Sequence, residues 1–343
     1  MKIVVYGATG HTGQFVVAEL RRRGLTPVVA GRDAGKLSKE YEDLTVRPAA
    51  VDDPEALDHA LDGADAVINT AGPFALTAGP VIDAALRAGI PYVDVAAEIE
   101  ANVSTLTEYA AKAREAGAIV LPAMAFFGGL GDLLVTHAMG DWTAADEAHI
   151  AYGLSSWHPT PGTRTAGEVS HDRRGGQRVR FTNGVLEYHT DGPTQEDWDF
   201  PAPLGRRTVI KGFTMADVVT VPSHLQIPKV STSMATEAAQ DLADASTPAP
   251  TASDADGRSD QTFVVDAIVT ADDAVRRVTA TGRDIYAVTA PLAVEAVERI
   301  LSGRTRTVGA VTAGALFDAA DFLQALEPFL IVTTSAQLTP TRR

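Results

Sequence analysis

Seven residues near the start of the chain, Gly7-Ala8-Thr9-Gly10-His11-Thr12-Gly13, constrain its fold more than any others. They follow an apolar strand candidate, Lys2–Tyr6, and lead into Gln14–Leu20, which has helical periodicity. That order of strand, glycine turn and helix suits a dinucleotide pyrophosphate. Glycines let the backbone pass close to the phosphates, and free N–H groups at the helix N-terminus face the anion. A GxxGxxG spacing alone is weak and needs its context and a second signal.

The second signal is Val28-Val29-Ala30-Gly31-Arg32-Asp33, about twenty residues on, at the end of the second strand candidate. An NAD-selective site usually places a carboxylate there to accept from the ribose 2′-hydroxyl. Here Arg32 comes first. A guanidinium fork pairs with a phosphate and stacks on adenine, so NADP(H) is favoured over NAD(H). The bland alternative is a solvated Arg32 with Asp33 capping the next helix.

Strand candidates at 2–6, 27–30, 46–51, 66–70, 92–96 and 118–122 alternate with helix candidates near 13–23, 34–41, 54–62, 77–88 and 101–116. Such alternation means βαβ units and a parallel sheet. After about residue 140 the pattern changes. Residues 147–154 alternate as a half-buried strand does, and 177–182 and 185–189 flank Asn183-Gly184, a strong hairpin signal. A second hairpin is read at 262–270 and 274–281, a loop at 241–260, and helices return over 292–301 and 313–326. The expected fold is α/β: a doubly wound parallel Rossmann sheet (1–139 plus 285–343) with an inserted, mainly antiparallel α+β domain (140–284) for substrate or dimerisation.

A formal charge of −15 argues against nucleic acid or an anionic membrane as partner. The chain has no cysteine, so disulfides, thiol nucleophiles and thiolate metal sites are excluded together. Its eight histidines show no metal-ligand spacing. Met1 runs straight into the first strand without a signal-peptide pattern, and a cytoplasmic location is expected.

Several segments, taken in order, resemble the saccharopine dehydrogenase-like NAD(P)-binding oxidoreductase family, which includes trans-acting enoyl reductases. They are the glycine turn, Ala30-Gly31-Arg32, Asn69-Thr70-Ala71-Gly72-Pro73-Phe74, Tyr92-Val93-Asp94-Val95-Ala96-Ala97-Glu98, and Gly282-Arg283-Asp284-Ile285-Tyr286 through Ala296. The likeness is weak between about 155 and 260. It implies an NADP-dependent oxidoreductase, often dimeric, with a Rossmann domain and an inserted α+β domain. Two departures stand out: His11 replaces the aromatic usual in the turn, and Ala96-Ala97 replace a pair containing glycine.

Position then assigns roles. Gly7, Thr9, Gly10, His11, Thr12 and Gly13 would cradle the pyrophosphate, and Arg32 would take the 2′-phosphate. Asp52 either hydrogen-bonds the adenine amino group or caps a helix. Ala71, Gly72 and Pro73 would pass near the nicotinamide ribose, at the carboxyl ends of the strands. No tyrosine has a lysine four residues later, which removes the Tyr-x-x-x-Lys mechanism. Candidates for proton transfer are Glu98, His11 and Tyr92, with Asp94 more structural; Glu98 alternatively caps the helix near 101. Tyr152, Trp157 and His158 are candidates to reach in from the second domain. The expectation is an NADP(H)-dependent oxidoreductase that reduces a C=N, C=C or C=O bond of a small metabolite held between the domains. The alternative is a non-catalytic NADP(H)-binding sensor.

Overall fold

β1 (Lys2–Tyr6) is buried from Ile3 onward and lies at the centre of a sheet, as its β-branched sequence requires when both faces are covered. A computed structural model describes residues 1–338. From β1 the chain alternates through α1 (His11–Arg22), β2 (Thr26–Gly31), α2 (Ala34–Glu40), β3 (Thr45–Pro48), α3 (Pro54–Leu61), β4 (Ala66–Asn69), α4 (Phe74–Ala88), β5 (Tyr92–Asp94), α5 (Ile99–Glu108), α6 (Ala110–Glu115), β6 (Ile119–Leu121) and α7 (Gly131–Met139). Local chemistry sets the helix ends. Asp33 and Asp53 cap α2 and α3 by accepting from Lys36 N and Ala56 N, and Gly89, at φ +67°, closes α4.

The second half contains β7 (Glu147–Leu154), α8 (Pro161–Arg173), β8 (Arg178–Thr182), β9 (Val185–His189), β10 (Gln195–Asp199), β11 (Arg206–Lys211), α9 (Asp217–Thr220), β12 (Val230–Ala235), α10 (Thr236–Ala243), β13 (Thr262–Ala271) and β14 (Ala274–Arg283). The chain then continues through α11 (Thr289–Leu301), β15 (Gly309–Ala310), α12 (Ala313–Leu316), α13 (Ala319–Ala325) and β16 (Leu330–Leu338).

The first sheet runs β15-β6-β5-β4-β1-β2-β3, all parallel. This is the doubly wound order, whose reversal at β1 and β4 opens a crevice at the carboxyl ends of the strands. The second sheet runs β10-β11-β12-β7-β13-β14-β16, with the β8–β9 hairpin attached to β12. It is antiparallel except between β12 and β7. It also rolls over. Trp198 on β10 donates through Nε1 to Asp266 on β13 at 2.8 Å. In a flat sheet, four strands apart would separate them by roughly 19 Å.

The carboxyl-terminal stretch, expected to lie wholly with the first sheet, divides. α11 lies on α1, where Arg23 bonds Glu19, Glu295 and Glu298 at 2.7, 2.6 and 2.5 Å, and β15 extends the sheet beside β6. β16 instead pairs antiparallel with β14 in the second sheet. The helix read over 313–326 also splits, because Asp318 starts a new helix by accepting from Asp321 N. The stretch 241–260 begins as the end of α10, and the rest is tied down. Arg164 donates to the carbonyls of Asp244 and Thr247, and Ser259 N donates to Asp284. Among the described residues no helix is long and apolar enough to cross a membrane.

Tyr152 on β7, fully buried, donates to both oxygens of Asp217 on α9 at 2.8 and 2.9 Å. Burial pushes the Asp217 carboxyl from 3.8 up to about 7. The folded chain therefore holds a proton there at a pH where the unfolded chain has lost it. The stability this contributes is complete below the unfolded value and falls as pH rises from about 4 to about 7. Denaturant titrations across that interval should show a flatter pH dependence for Asp217→Asn than for the unmodified protein; parallel curves would contradict this.

Candidate active site

The glycine turn is built by close backbone packing. Gly7, at φ +89°, lies against Ala71: a Cβ at this position would stand 2.8 Å from both the Ala71 Cβ and its nitrogen. A Cβ on Gly13 would meet the Gly7 carbonyl oxygen at 2.3 Å. The turn is closed by Gly7 N donating to Ala30 O, Gly10 N to Gly7 O, and Gln14 N to Gly10 O. Gly10 is the N-cap of α1, so no side chain occupies the cap, and the first turn carries no acidic residue. The N–H groups of Thr9, His11, Thr12 and Gly13 have no acceptor among the described residues. This helix end is open to an anion.

Arg32 directly follows β2, Asp52 lies in the turn between β3 and α3, and both are exposed. Both act on the Tyr6 hydroxyl in opposite senses, while burial dominates and raises it to about 12. The cap alternatives resolve here. Asp33 does cap α2, but at α3 the cap is Asp53, leaving the Asp52 carboxylate out of that role.

Ala71, Gly72 and Pro73 follow β4, and Gly72 is exposed. A buried network fixes them from below. Asn69 Oδ1 accepts from Ala71 N at 3.0 Å, and its Nδ2 donates to the Thr77 and Tyr92 hydroxyls. Tyr92 in turn donates to Asp94 Oδ2 at 2.8 Å, and Asp94 Oδ1 accepts from Ala96 N and Ala123 N. Burial raises the Asp94 carboxyl from 3.8 to about 6. Tyr92 has no exposed surface and its hydroxyl is committed within this network, so it does not present a proton to the crevice.

Glu98 is placed differently from either expectation. It stands at the N-cap of α5 but makes no cap bond there. Its carboxylate crosses to α4 and accepts from Phe74 N at 2.6 Å and Ala75 N at 3.0 Å. It thus neutralises the open N-terminus of α4 and anchors the Gly72–Pro73 turn. Burial raises its pKa, and those two N–H bonds oppose the rise.

The second half of the chain closes over this crevice with side chains that the sequence did not single out. Ala166 of α8 lies 3.7 Å from where a Gly72 Cβ would stand. Along α8, Thr163, Ala166 and Ser170 recur at helical spacing. Thr163 Oγ1 meets the Tyr286 hydroxyl at 3.0 Å, and Ser170 donates to Glu100 at 2.8 Å. Tyr286 also accepts from Trp157 Nε1 and Thr160 N at 3.3 Å and donates to the His158 carbonyl. Asp284 fixes it by accepting from the amides of Tyr286, Ala287 and Ser259. His11 stands edge-on to Tyr286, with ring centroids 5.2 Å apart. Trp157 and His158 therefore belong to this junction, whereas Tyr152 is buried with Asp217 and does not. Tyr286 was visible only as part of a motif, with no signal for its role.

Residues 3–121 match the family model described as the saccharopine dehydrogenase NADP binding domain. With the sheet order and open glycine turn, they define a dinucleotide-binding domain of the NADP type. A saccharopine dehydrogenase-like oxidoreductase of Bos taurus is 30% identical over 145 residues, covering 36% of this chain and 34% of that protein. A trans-acting enoyl reductase of Mycobacterium ulcerans (strain Agy99) is 28% identical over 145 residues, covering 40% and 35%. The chain spans about a third of the length of these curated relatives. Among solved structures, apo histidine-tagged saccharopine dehydrogenase (L-Glu forming) from Saccharomyces cerevisiae superposes with a TM-score of 0.64 at 13% identity, covering 98% of this chain and 100% of that one. The fold is shared through both halves.

Replacing Glu98 by Ala should free two α4 amides and loosen the Gly72–Pro73 turn. Hydrogen bonds to a charged group contribute about 1.5–3 kcal/mol each, so a loss of roughly 3 kcal/mol in chemical denaturation is expected. A loss within ~0.5 kcal/mol would show that the carboxylate does not anchor the turn.

Proposed function

We propose that this protein is an NADP(H)-dependent oxidoreductase that delivers hydride to a C=N, C=C or C=O bond of a small metabolite held between its two units. The observation that carries the proposal is the position of the open glycine turn. Its acceptor-free N–H groups lie where Tyr286 and α8 close over the Gly72 loop. Gly7, Thr9, Gly10, His11, Thr12 and Gly13 would hold the pyrophosphate, Arg32 the 2′-phosphate and Asp52 the adenine edge. Ala71, Gly72 and Pro73 would flank the nicotinamide ribose. The bound cofactor supplies the hydride, and the protein orients it and excludes water. We assign residues 140–284 to the substrate unit and retain a homodimer and a cytoplasmic location as parts of this reading.

Within it, Glu98 and Tyr92 act by positioning the Gly72 loop rather than by transferring protons, because their polar atoms are committed to Phe74, Ala75, Asn69 and Asp94. The same fact favours a second reading, an NADP(H)-binding protein without turnover. NADPH consumption with any metabolite separates the two.

Calorimetric titration with NADPH and NADH, repeated on Arg32→Glu, tests the cofactor assignment. A charge-assisted contact of about 1.5–3 kcal/mol corresponds to roughly ten- to hundredfold weaker NADPH binding in the variant, with NADH binding little changed or improved. Equal loss for both nucleotides would remove Arg32 from 2′-phosphate recognition.

A further inference from the structure

Tyr41 stands at the end of α2, and its ring is buried in the same apolar core as Ala8 and Val16. Its hydroxyl donates to the Ala8 carbonyl, 33 residues back along the chain, at 2.8 Å. Beside it Glu40, the last residue of α2, accepts from Gln14 Nε2 of α1 at 2.6 Å. The carboxyl end of α2 therefore holds the glycine turn through Tyr41 and the following helix through Glu40.

The bond to Ala8 controls one peptide in particular. In the peptide before it, the Gly7 carbonyl accepts from Gly10 N and Thr70 Oγ1, and Ala8 N donates to Ala30 O. In the peptide joining Ala8 to Thr9, the oxygen is held by Tyr41 while the Thr9 N–H has no acceptor among the described residues. That peptide is trans. A trans peptide is planar with its C=O and N–H antiparallel, so fixing the oxygen fixes the direction of the hydrogen. The oxygen points inward, to a hydroxyl in the core. The Thr9 N–H consequently points outward, where Thr9 is half-buried and Gly10 is exposed.

We propose that Tyr41 is a positioning residue for the dinucleotide: by holding the Ala8 carbonyl inward, it keeps the Thr9 N–H turned outward as a donor to the cofactor's pyrophosphate. The inference rests on the nucleotide reading above and on the match of residues 3–121 to an NADP binding domain. Burial raises the pKa of the Tyr41 hydroxyl, and the Glu40 carboxylate raises it further, so the oxygen keeps the proton it donates. Among the described residues the Ala8 carbonyl has no other donor. A buried carbonyl without a partner is costly. Tilting the peptide toward water relieves that cost. The same tilt takes the Thr9 N–H out of line and brings the negative end of the peptide dipole toward the phosphates.

The test compares Tyr41→Phe with Tyr109→Phe. Tyr109 makes the same kind of bond elsewhere in the first unit, from its hydroxyl to the Gly79 carbonyl at 3.1 Å, and both tyrosines are 8% exposed. Each variant keeps its ring and loses one hydroxyl, so the two should lose similar stability in chemical denaturation. Calorimetric titration of the full chain should separate them. Tyr41→Phe is expected to bind NADPH and NADH each roughly five- to tenfold more weakly, because both carry the pyrophosphate, and Tyr109→Phe within about twofold of the unmodified protein. In protein carrying isotope-labelled threonine, the Thr9 amide resonance should already be displaced in Tyr41→Phe before nucleotide is added, and NADPH should move it less than in the unmodified protein.

An affinity of Tyr41→Phe within twofold of the unmodified protein, an equal loss in Tyr109→Phe, or a Thr9 resonance left in place by the substitution would each overturn the proposal. A loss for NADPH alone would overturn it too, since the effect would then lie at the 2′-phosphate. If the unmodified protein binds neither nucleotide, the nucleotide reading falls and this inference with it; if it binds them and only the Tyr41 signature is missing, only the inference falls.

Discussion

The backbone contact between Gly7 and Ala71 sets the geometry on which the rest depends. Two strand ends meet there with no side chain between them, and a Cβ at Gly7 would stand 2.8 Å from the Ala71 nitrogen. That closeness brings the turn after β1 and the turn after β4 into one crevice, at the point where the strand order reverses. Gly13 extends the same logic by letting α1 start directly beneath the Gly7 carbonyl. The open helix end and the Gly72 loop consequently face the same space.

Around this contact, acidic side chains serve mainly as fasteners. Asp94 holds the turns after β5 and β6, Glu98 caps α4 from another helix, and Asp284 fixes Tyr286 and the 259 amide together. Each accepts two or more hydrogen bonds in a buried setting, where a satisfied carboxylate gives rigidity and an unsatisfied one would be costly. These three carboxylates are therefore already committed to hydrogen bonds within the fold. His11 Nε2, like Glu100 Oε1 and Asn102 Oδ1, is instead buried and unpaired among the described residues.

The first unit was legible because its signals are local. Apolar strands, Asp33 and Asp53 at helix starts, Gly89 at a helix end and the glycine turn each act within a few residues. The hairpin around Asn183-Gly184 was legible for the same reason. β10 was not, because Gln195-Glu196-Asp197-Trp198-Asp199 is mostly charged and becomes a strand only where Trp198 turns inward onto Asp266. α8 was not legible either. Its inward face is small and polar, so it lacks the apolar stripe that marks a packed helix. At the site, the glycines, Arg32 and the Ala71–Pro73 loop were readable by position. The bonds of Glu98 to amides 24 and 23 residues away, and the hub at Tyr286, are long-range contacts with no local signature. β16 escaped for a similar reason, since its partner β14 lies far back along the chain.

The central claim is that the cofactor binds where the glycine turn meets the second unit, not on the first unit alone. Amide hydrogen exchange with and without saturating NADPH tests this most directly. The account predicts added protection at residues 8–13 and 71–75, and also across 157–170 and 284–287. Protection confined to residues 3–121, with 157–170 and 284–287 unchanged, would contradict it.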